Sequence, residues 1–114
     1  MEDSSIAKLK ELSSQDLFGP DGFLYTGVQD QKQKKALSEK FKGLISAFIM
    51  ACTEGASSEQ LLALLKTGLA EFDRISLETE DAENLAGNFE KLMDCVGLES
   101  SKGALNEWMY GFDL

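Results

Sequence analysis

The sequence predicts an all-α fold: a single domain over residues 1–114, in which four main helices and a short C-terminal helix form a bundle. The chain has one proline and is rich in leucine, glutamate, lysine and alanine, which favours helix over sheet. Apolar residues recur at helical spacing in successive segments. With 43% hydrophobic residues, the chain has enough apolar side chains to bury a core.

The central element is a helix predicted from about Lys34 to Cys52. One apolar stripe, about 100° wide on a helical wheel, runs along the whole helix. Further apolar residues widen the stripe in the second half, so we expect neighbouring helices on most sides. Asp30 is the expected N-cap residue, and Gly55 is placed for a left-handed C-terminal cap. The stripe consists of Leu37, Phe41, Leu44, Ile45, Phe48 and Cys52.

The region before this helix is predicted to hold one short helix and a long loop. Ile6, Leu9 and Leu12 recur at helical spacing and indicate a first helix over residues 5–13. The loop over residues 14–30 contains Gly19-Pro20-Asp21-Gly22, a pattern typical of a β-turn. We expect its apolar side chains to cover one end of the bundle; the alternative is a loop that binds a ligand or partner. These side chains are Leu17, Phe18, Phe23, Leu24 and Tyr25.

The third helix is expected directly after Gly55. Ser57 and Gln60 have the spacing of a capping box at its start. Gly68 falls on its apolar stripe, where glycine costs about 1 kcal/mol relative to alanine, and this indicates the close approach of a neighbouring helix. The stripe itself is Leu61, Leu64, Leu65, Leu69, Phe72 and Ile75.

The fourth helix is predicted to begin near Thr79 and to stop at Gly97, and a short last helix is predicted over about residues 101–110. Asp81 and its acidic neighbours lie in the first turn of the fourth helix, where the helix dipole favours carboxylates. Residues from three helices should be buried together in the core. These are Leu44, Ile45, Phe48, Leu65, Leu69, Phe89 and Leu92.

Composition argues against several classes of function. The net charge of −9 argues against nucleic-acid binding and against anionic membrane surfaces. The chain has no histidine, so it lacks the commonest general base and zinc ligand. It also has no phosphate-binding loop, dinucleotide fingerprint or Cys-x-x-Cys pair. We therefore expect no catalytic residues, no metal and no cofactor, and do not expect an enzyme.

The two cysteines, Cys52 and Cys95, both fall on apolar helix stripes. This favours buried thiols in a reducing compartment over a disulfide. The N-terminal residues are acidic and polar and do not resemble a secretory signal. These observations predict a cytoplasmic protein.

Charge is segregated along the chain. Residues 31–70 carry six lysines and three acids, a net charge of +3, whereas residues 71–99 carry nine acids and two bases, a net charge of −7. Four acids of the fourth helix share one strip with a glycine in its middle, and the strip is predicted to bind a basic partner. The alternative is a solvated polar face. We call this set the acidic strip: Glu80, Glu83, Gly87, Glu90 and Asp94.

Large apolar residues crowd the C-terminus. Trp108, the only tryptophan, lies near Tyr110 and Phe112. Such a tail is expected to dock on its own core. Trp108 and Tyr110 are alternatively predicted to form a hot spot for a partner.

The same end of the chain carries a family resemblance. The segment Ser100-Ser101-Lys102-Gly103-Ala104-Leu105-Asn106-Glu107-Trp108-Met109-Tyr110-Gly111-Phe112, preceded by Thr79-Glu80-Asp81 and Leu92-Met93-Asp94, resembles a family of short, mostly bacterial proteins known only as a domain of unknown function. Tyr25 and Gly27 resemble an element of the family's first loop. The resemblance implies a helical fold and a bacterial origin, and it implies no activity or site residues.

These patterns together predict a small acidic binding protein. It would act by occupying a protein partner, as an immunity or inhibitor protein does, and the partner would be basic. The alternative is a homodimeric interaction module that uses Trp108, Tyr110 and other exposed apolar residues as its interface.

Overall fold

The computed structural model describes residues 2–20 and 25–111, which contain five α-helices, one 3-10 turn and no strand. The predicted all-α single-domain fold is confirmed. Helix α1 packs against α2 and α4, α2 packs against α3, and α5 contacts both α3 and α4. The helices are α1 (Glu2–Ser13), α2 (Gln31–Thr53), α3 (Ser58–Ala70), α4 (Thr79–Val96) and α5 (Ala104–Tyr110), with the 3-10 turn at Arg74–Ser76.

The helix ends follow local sequence signals. The Asp30 side chain accepts hydrogen bonds from the Lys32 and Gln33 amides at the start of α2. Ser57 and Gln60 form the predicted capping box on α3. Gly55 and Gly97 follow α2 and α4 with φ of 78° and 74°, a region that glycine enters without the steric cost other residues meet.

The core is centred on aromatic rings from several elements. Phe41 of α2 meets Phe89 of α4 edge to face, with ring centroids 5.3 Å apart. Phe72, just beyond α3, lies 5.7 Å from Phe89, and Phe18 of the first loop lies 6.0 Å from Phe41. All seven residues of the predicted core are buried: Leu44, Ile45, Phe48, Leu65, Leu69, Phe89 and Leu92.

Gly68 marks the close contact between α2 and α3. A Cβ atom built at Gly68 would lie 2.6 Å from Cδ2 of Leu44. The predicted close approach is therefore confirmed, because a larger residue at position 68 would overlap a buried leucine.

The prediction that Ile75 belongs to the buried stripe of α3 is wrong. Helix α3 ends at Ala70, and the Asp73 side chain then accepts a hydrogen bond from the Ile75 amide and caps a separate 3-10 turn. The chain leaves the α3 register at this point, so Phe72 is still buried while Ile75 is 92% exposed.

The first loop covers part of the core, as predicted. Leu17, Phe18 and Val28 are buried, and the Val28 amide donates to the Phe18 carbonyl at 3.0 Å. Tyr25 is half-buried. The rest of the predicted β-turn, together with Phe23 and Leu24, lies outside the described residues.

The two cysteines differ in their surroundings. They form no disulfide, Cys52 is buried and Cys95 is half-buried. Burial raises the pKa of the Cys95 thiol. Among the helices of the described ranges, none combines the length and the apolar character that a bilayer crossing requires.

Candidate functional site

The C-terminal helix is held on the core by two side-chain hydrogen bonds to backbone. The indole N–H of Trp108 donates to the Phe72 carbonyl at 2.9 Å. Arg74 Nε donates to the Met109 carbonyl at 3.2 Å, and its Nη1 donates to the Leu77 carbonyl at 3.3 Å. Met109 is buried and Trp108 is half-buried. The predicted docking of this tail on its own core is therefore confirmed for Trp108 and Met109.

A groove lies between the 3-10 turn and α5, and we call it the α5 groove. Its volume is about 720 Å³. Ile75 and Tyr110 both line it, with exposed fractions of 92% and 56%. The full lining is Ala70, Glu71, Phe72, Asp73, Arg74, Ile75, Trp108, Met109, Tyr110 and Gly111.

The charges around the α5 groove are unbalanced. Glu71 and Asp73 line it and are exposed, so both carboxylates face solvent. Arg74 also lines it and donates to two neutral backbone carbonyls, so its positive charge remains and offsets one of the two carboxylates. The groove therefore combines exposed apolar side chains with available negative charge.

The acidic strip occupies the outside of α4. Glu80, Glu83, Glu90 and Asp94 are all exposed. Gly87 is half-buried, and a Cβ atom built on it would meet no other atom within 4 Å. The strip contributes no residue to the α5 groove, so the two predicted sets of partner-binding residues lie on different surfaces.

Two lysines lie near the C-terminal end of the acidic strip. Asp94 lines a cavity of about 400 Å³ together with Lys8 of α1 and Lys91 of α4. These lysines offset part of the negative potential there. Glu11 lines the same cavity, whereas Glu80 and Glu83, at the other end of the strip, do not.

Sequence reasoning missed a polar contact at the start of α4. Asp81 lies in the first turn of α4, as expected, but it is also buried, and its Oδ1 accepts a hydrogen bond from the Tyr25 hydroxyl at 2.6 Å. Burial, followed by this bond to Asp81, raises the pKa of Tyr25. Helical spacing could have indicated that Asp81 is buried, because it lies four residues before buried Leu85 and seven before buried Asn88.

Two asparagines of α4 hold the first loop beside this contact. Asn84 Nδ2 and Asn88 Nδ2 both donate to the Leu17 carbonyl, at 2.8 and 3.0 Å. Asn88 is buried, and its amide N–H therefore has the partner that burial requires. Tyr25, Asn84 and Asn88 fasten the loop to α4 in an arrangement that serves the fold.

Over residues 2–20 and 25–111, no three cysteine, aspartate or glutamate side chains converge in a way that could hold a metal ion. The α5 groove has a shape and exposed apolar side chains suited to recognition, and the acidic strip has an exposed charge. Both suit contact with another molecule.

Comparison with known proteins places the chain in a family. The family model for DUF4844, a domain of unknown function, matches residues 1–113. The chain belongs to this family. It is also similar to the crystal structure of a DUF3571 family protein from Acinetobacter baumannii AYE, with a TM-score of 0.92 and 39% sequence identity over 96% of this chain and 91% of that one. No curated protein matches the chain.

The match extends well beyond the C-terminal motif that first suggested the resemblance. The predicted membership of a helical family of unknown function is confirmed over nearly the whole chain. Neither family name specifies an activity.

Proposed function

We propose that this DUF4844 protein is a non-catalytic binding protein whose α5 groove receives an apolar side chain from a basic segment of a protein partner. The main support for the proposal is the position of Ile75 and Tyr110. Within the described residues, three large hydrophobic side chains are mainly exposed, and these two line the same groove. Exposed apolar surface gathered at one concave site is typical of protein interfaces.

The residue types around the groove support the same proposal. Tryptophan and tyrosine are enriched at interfaces, and Trp108 and Tyr110 both line the groove. Trp108 is held by its bond to Phe72, so little side-chain freedom would be lost when a partner binds.

Charge determines the chemistry of the proposed partner. Glu71 and Asp73 would attract lysine or arginine beside the apolar side chain in the groove. The acidic strip on α4 and the net charge of −9 would increase the rate of encounter with a basic protein. Binding by occupation, as an immunity or inhibitor protein binds, is consistent with this arrangement.

The homodimeric alternative uses the same apolar residues and meets an electrostatic cost. A two-fold interface places the same patch of two copies face to face. The interface would then gather four carboxylates, Glu71 and Asp73 of each copy, with only two Arg74 guanidiniums, and this excess of like charge disfavours the contact. Sedimentation equilibrium separates the two ideas, because a heterotypic binding protein should remain monomeric at micromolar concentration.

A selection experiment tests the proposal. A random peptide library displayed on phage would be selected against the immobilised protein and then tested on the double variant Ile75→Ser/Tyr110→Ser. The enriched peptides should combine a bulky apolar residue with nearby lysine or arginine, and should bind the double variant at least tenfold more weakly.

Met50→Ser provides the matched control. Met50 is 65% exposed and does not line the α5 groove, so this variant should bind the peptides as the parent does. Enriched peptides that bind the parent and the double variant equally, or that are predominantly acidic, would contradict the proposal.

A further inference from the structure

A second cavity lies beside Trp108, and we call it the Trp108 cavity. Its volume is about 370 Å³, within the range of roughly 300–1,000 Å³ typical of small-molecule sites. It is lined by Lys66, Leu69, Lys102, Ala104, Glu107 and Trp108. Apart from Trp108 it shares no residue with the α5 groove.

The lining of this cavity is positive in a strongly acidic protein. Lys66 belongs to α3 and Lys102 to the segment before α5, so two different elements each contribute a lysine to the lining of one cavity. Glu107 is the single acid in the lining. Neither lysine ammonium pairs with a carboxylate in the part of the chain that the structure describes. An anion entering the cavity would therefore find two available cations.

Local structure sets the position of Lys102. Its φ of 57° is unusual for a residue with a side chain, and its amide donates to Ser100 Oγ at 3.0 Å. The Leu105 amide donates to Ser101 Oγ at 3.2 Å and fixes the next residues in the same way. The backbone that carries Lys102 is thereby held beside α5.

The indole of Trp108 supplies the apolar surface of the cavity. Its N–H is committed to the Phe72 carbonyl, so the ring orientation is set before any ligand arrives. Leu69 and Ala104 extend the apolar surface beside it. A flat ring can stack on an indole, and two ammonium groups can hold an anionic substituent of that ring.

We propose that the Trp108 cavity binds a small organic anion, a planar ring that bears a carboxylate or a phosphate ester. The anionic group lies between Lys66 and Lys102, and the ring packs on Trp108. This site does not depend on protein binding at the α5 groove.

The single tryptophan makes the test direct. Trp108 is the only source of indole fluorescence, and it gives one indole N–H cross-peak in a ¹⁵N-correlated NMR spectrum. Benzoate and phenyl phosphate are the anionic probes, and benzamide is the neutral probe of similar shape. Both anions should shift the indole cross-peak and the Ala104 amide in a saturable way, and benzamide should bind more weakly. A stronger response to one anion identifies carboxylate or phosphate as the preferred group.

Each charged residue of the lining predicts the direction in which its replacement changes benzoate affinity. Lys66→Gln and Lys102→Asn should each weaken benzoate binding about two- to fivefold, as expected for the loss of one exposed charge interaction. Glu107→Gln should strengthen binding, because it removes the opposing carboxylate. Lys35→Gln is the control, since Lys35 is exposed on α2 and does not line the cavity, and it should leave binding unchanged.

Two results would overturn the inference. One is the absence of any saturable shift at the indole cross-peak with millimolar benzoate or phenyl phosphate. The other is equal binding of benzamide and benzoate with no effect of Lys66→Gln. Both can be read on a folded protein, because the replaced side chains are exposed and the same spectra report the fold.

Discussion

The Tyr25 hydroxyl donates a hydrogen bond to Oδ1 of Asp81 at 2.6 Å, and this contact joins residues 56 positions apart in the sequence. It connects the end of the first loop to the first turn of α4. Asp81 is 8% exposed, so the bond satisfies a carboxylate that is largely removed from water. Loss of such a partner is more costly than the net contribution of an exposed hydrogen bond.

Tyr25→Phe is therefore expected to lower the free energy of unfolding by about 1–3 kcal/mol. The measurement is urea denaturation followed by circular dichroism. A double-mutant cycle with Asp81→Ala isolates the pair: once Asp81 is absent, Tyr25→Phe should cost much less. Equal costs in both backgrounds would show that the bond contributes nothing to stability.

The same bond predicts a dependence of stability on alkaline pH. The pKa of Tyr25 is raised in the folded protein above its ordinary value of 10.0, mainly by burial and then by Asp81. Because the folded state keeps this proton where the unfolded state loses it, the contribution of Tyr25 is fully present below about pH 10 and declines as the pH rises above it. The stability difference between the parent and Tyr25→Phe should thus be constant up to about pH 9 and shrink as the pH rises to about 11. A difference that grows over this range would refute the assigned sign.

The glycines of α3 and α4 provide a matched pair of substitutions. Gly68→Ala places a Cβ atom 2.6 Å from Leu44 Cδ2, and overpacking of this kind costs about 1–3 kcal/mol, more than the gain in helix propensity of about 1 kcal/mol. Gly87→Ala meets nothing within 4 Å and should stabilise the protein by about 0.5–1 kcal/mol. Thermal denaturation of both variants checks the opposite signs. Stabilisation by Gly68→Ala would mean that Leu44 moves aside readily.

The acidic strip is expected to affect the rate of binding and to leave stability unchanged. The triple variant Glu83→Gln/Glu90→Gln/Asp94→Asn should associate more slowly with a selected basic peptide, and its association rate should depend less on salt. The control Glu39→Gln/Glu54→Gln/Glu59→Gln removes the same charge from exposed positions on or beside α2 and α3. Surface plasmon resonance at low and high salt compares the two. If both triple variants associate at the same rate, the position of the acidic strip has no effect, and the slower association is due to the change in net charge alone.

Much of the fold could be predicted because its signals are local. The Asp30 cap, the Ser57–Gln60 capping box and the left-handed glycines each depend on a few neighbouring residues. Gly68 could be read as a close contact because it interrupts an apolar stripe that otherwise favours larger residues. Helical spacing and glycine position were sufficient in these cases.

The contacts that sequence reasoning missed depend on where distant segments meet. Spacing could have placed Asp81 on the buried face of α4, but it could not identify Tyr25 as its partner. Ile75 was misplaced because helical periodicity was continued past Ala70, where the Asp73 cap starts a 3-10 turn. The α5 groove could not be predicted for the same reason, since it exists only where that turn brings Ile75 close to α5.

Amide chemical-shift mapping of a selected basic peptide on the isotope-labelled protein locates the bound peptide without any substitution, so it decides whether the α5 groove is the binding site. The largest shifts should fall at residues 71–75 and 108–111, around the α5 groove, with smaller changes along the acidic strip and none at Met50. Shifts concentrated on the outer face of α4 or around Met50, with Ile75 and Tyr110 unchanged, would contradict binding at the groove.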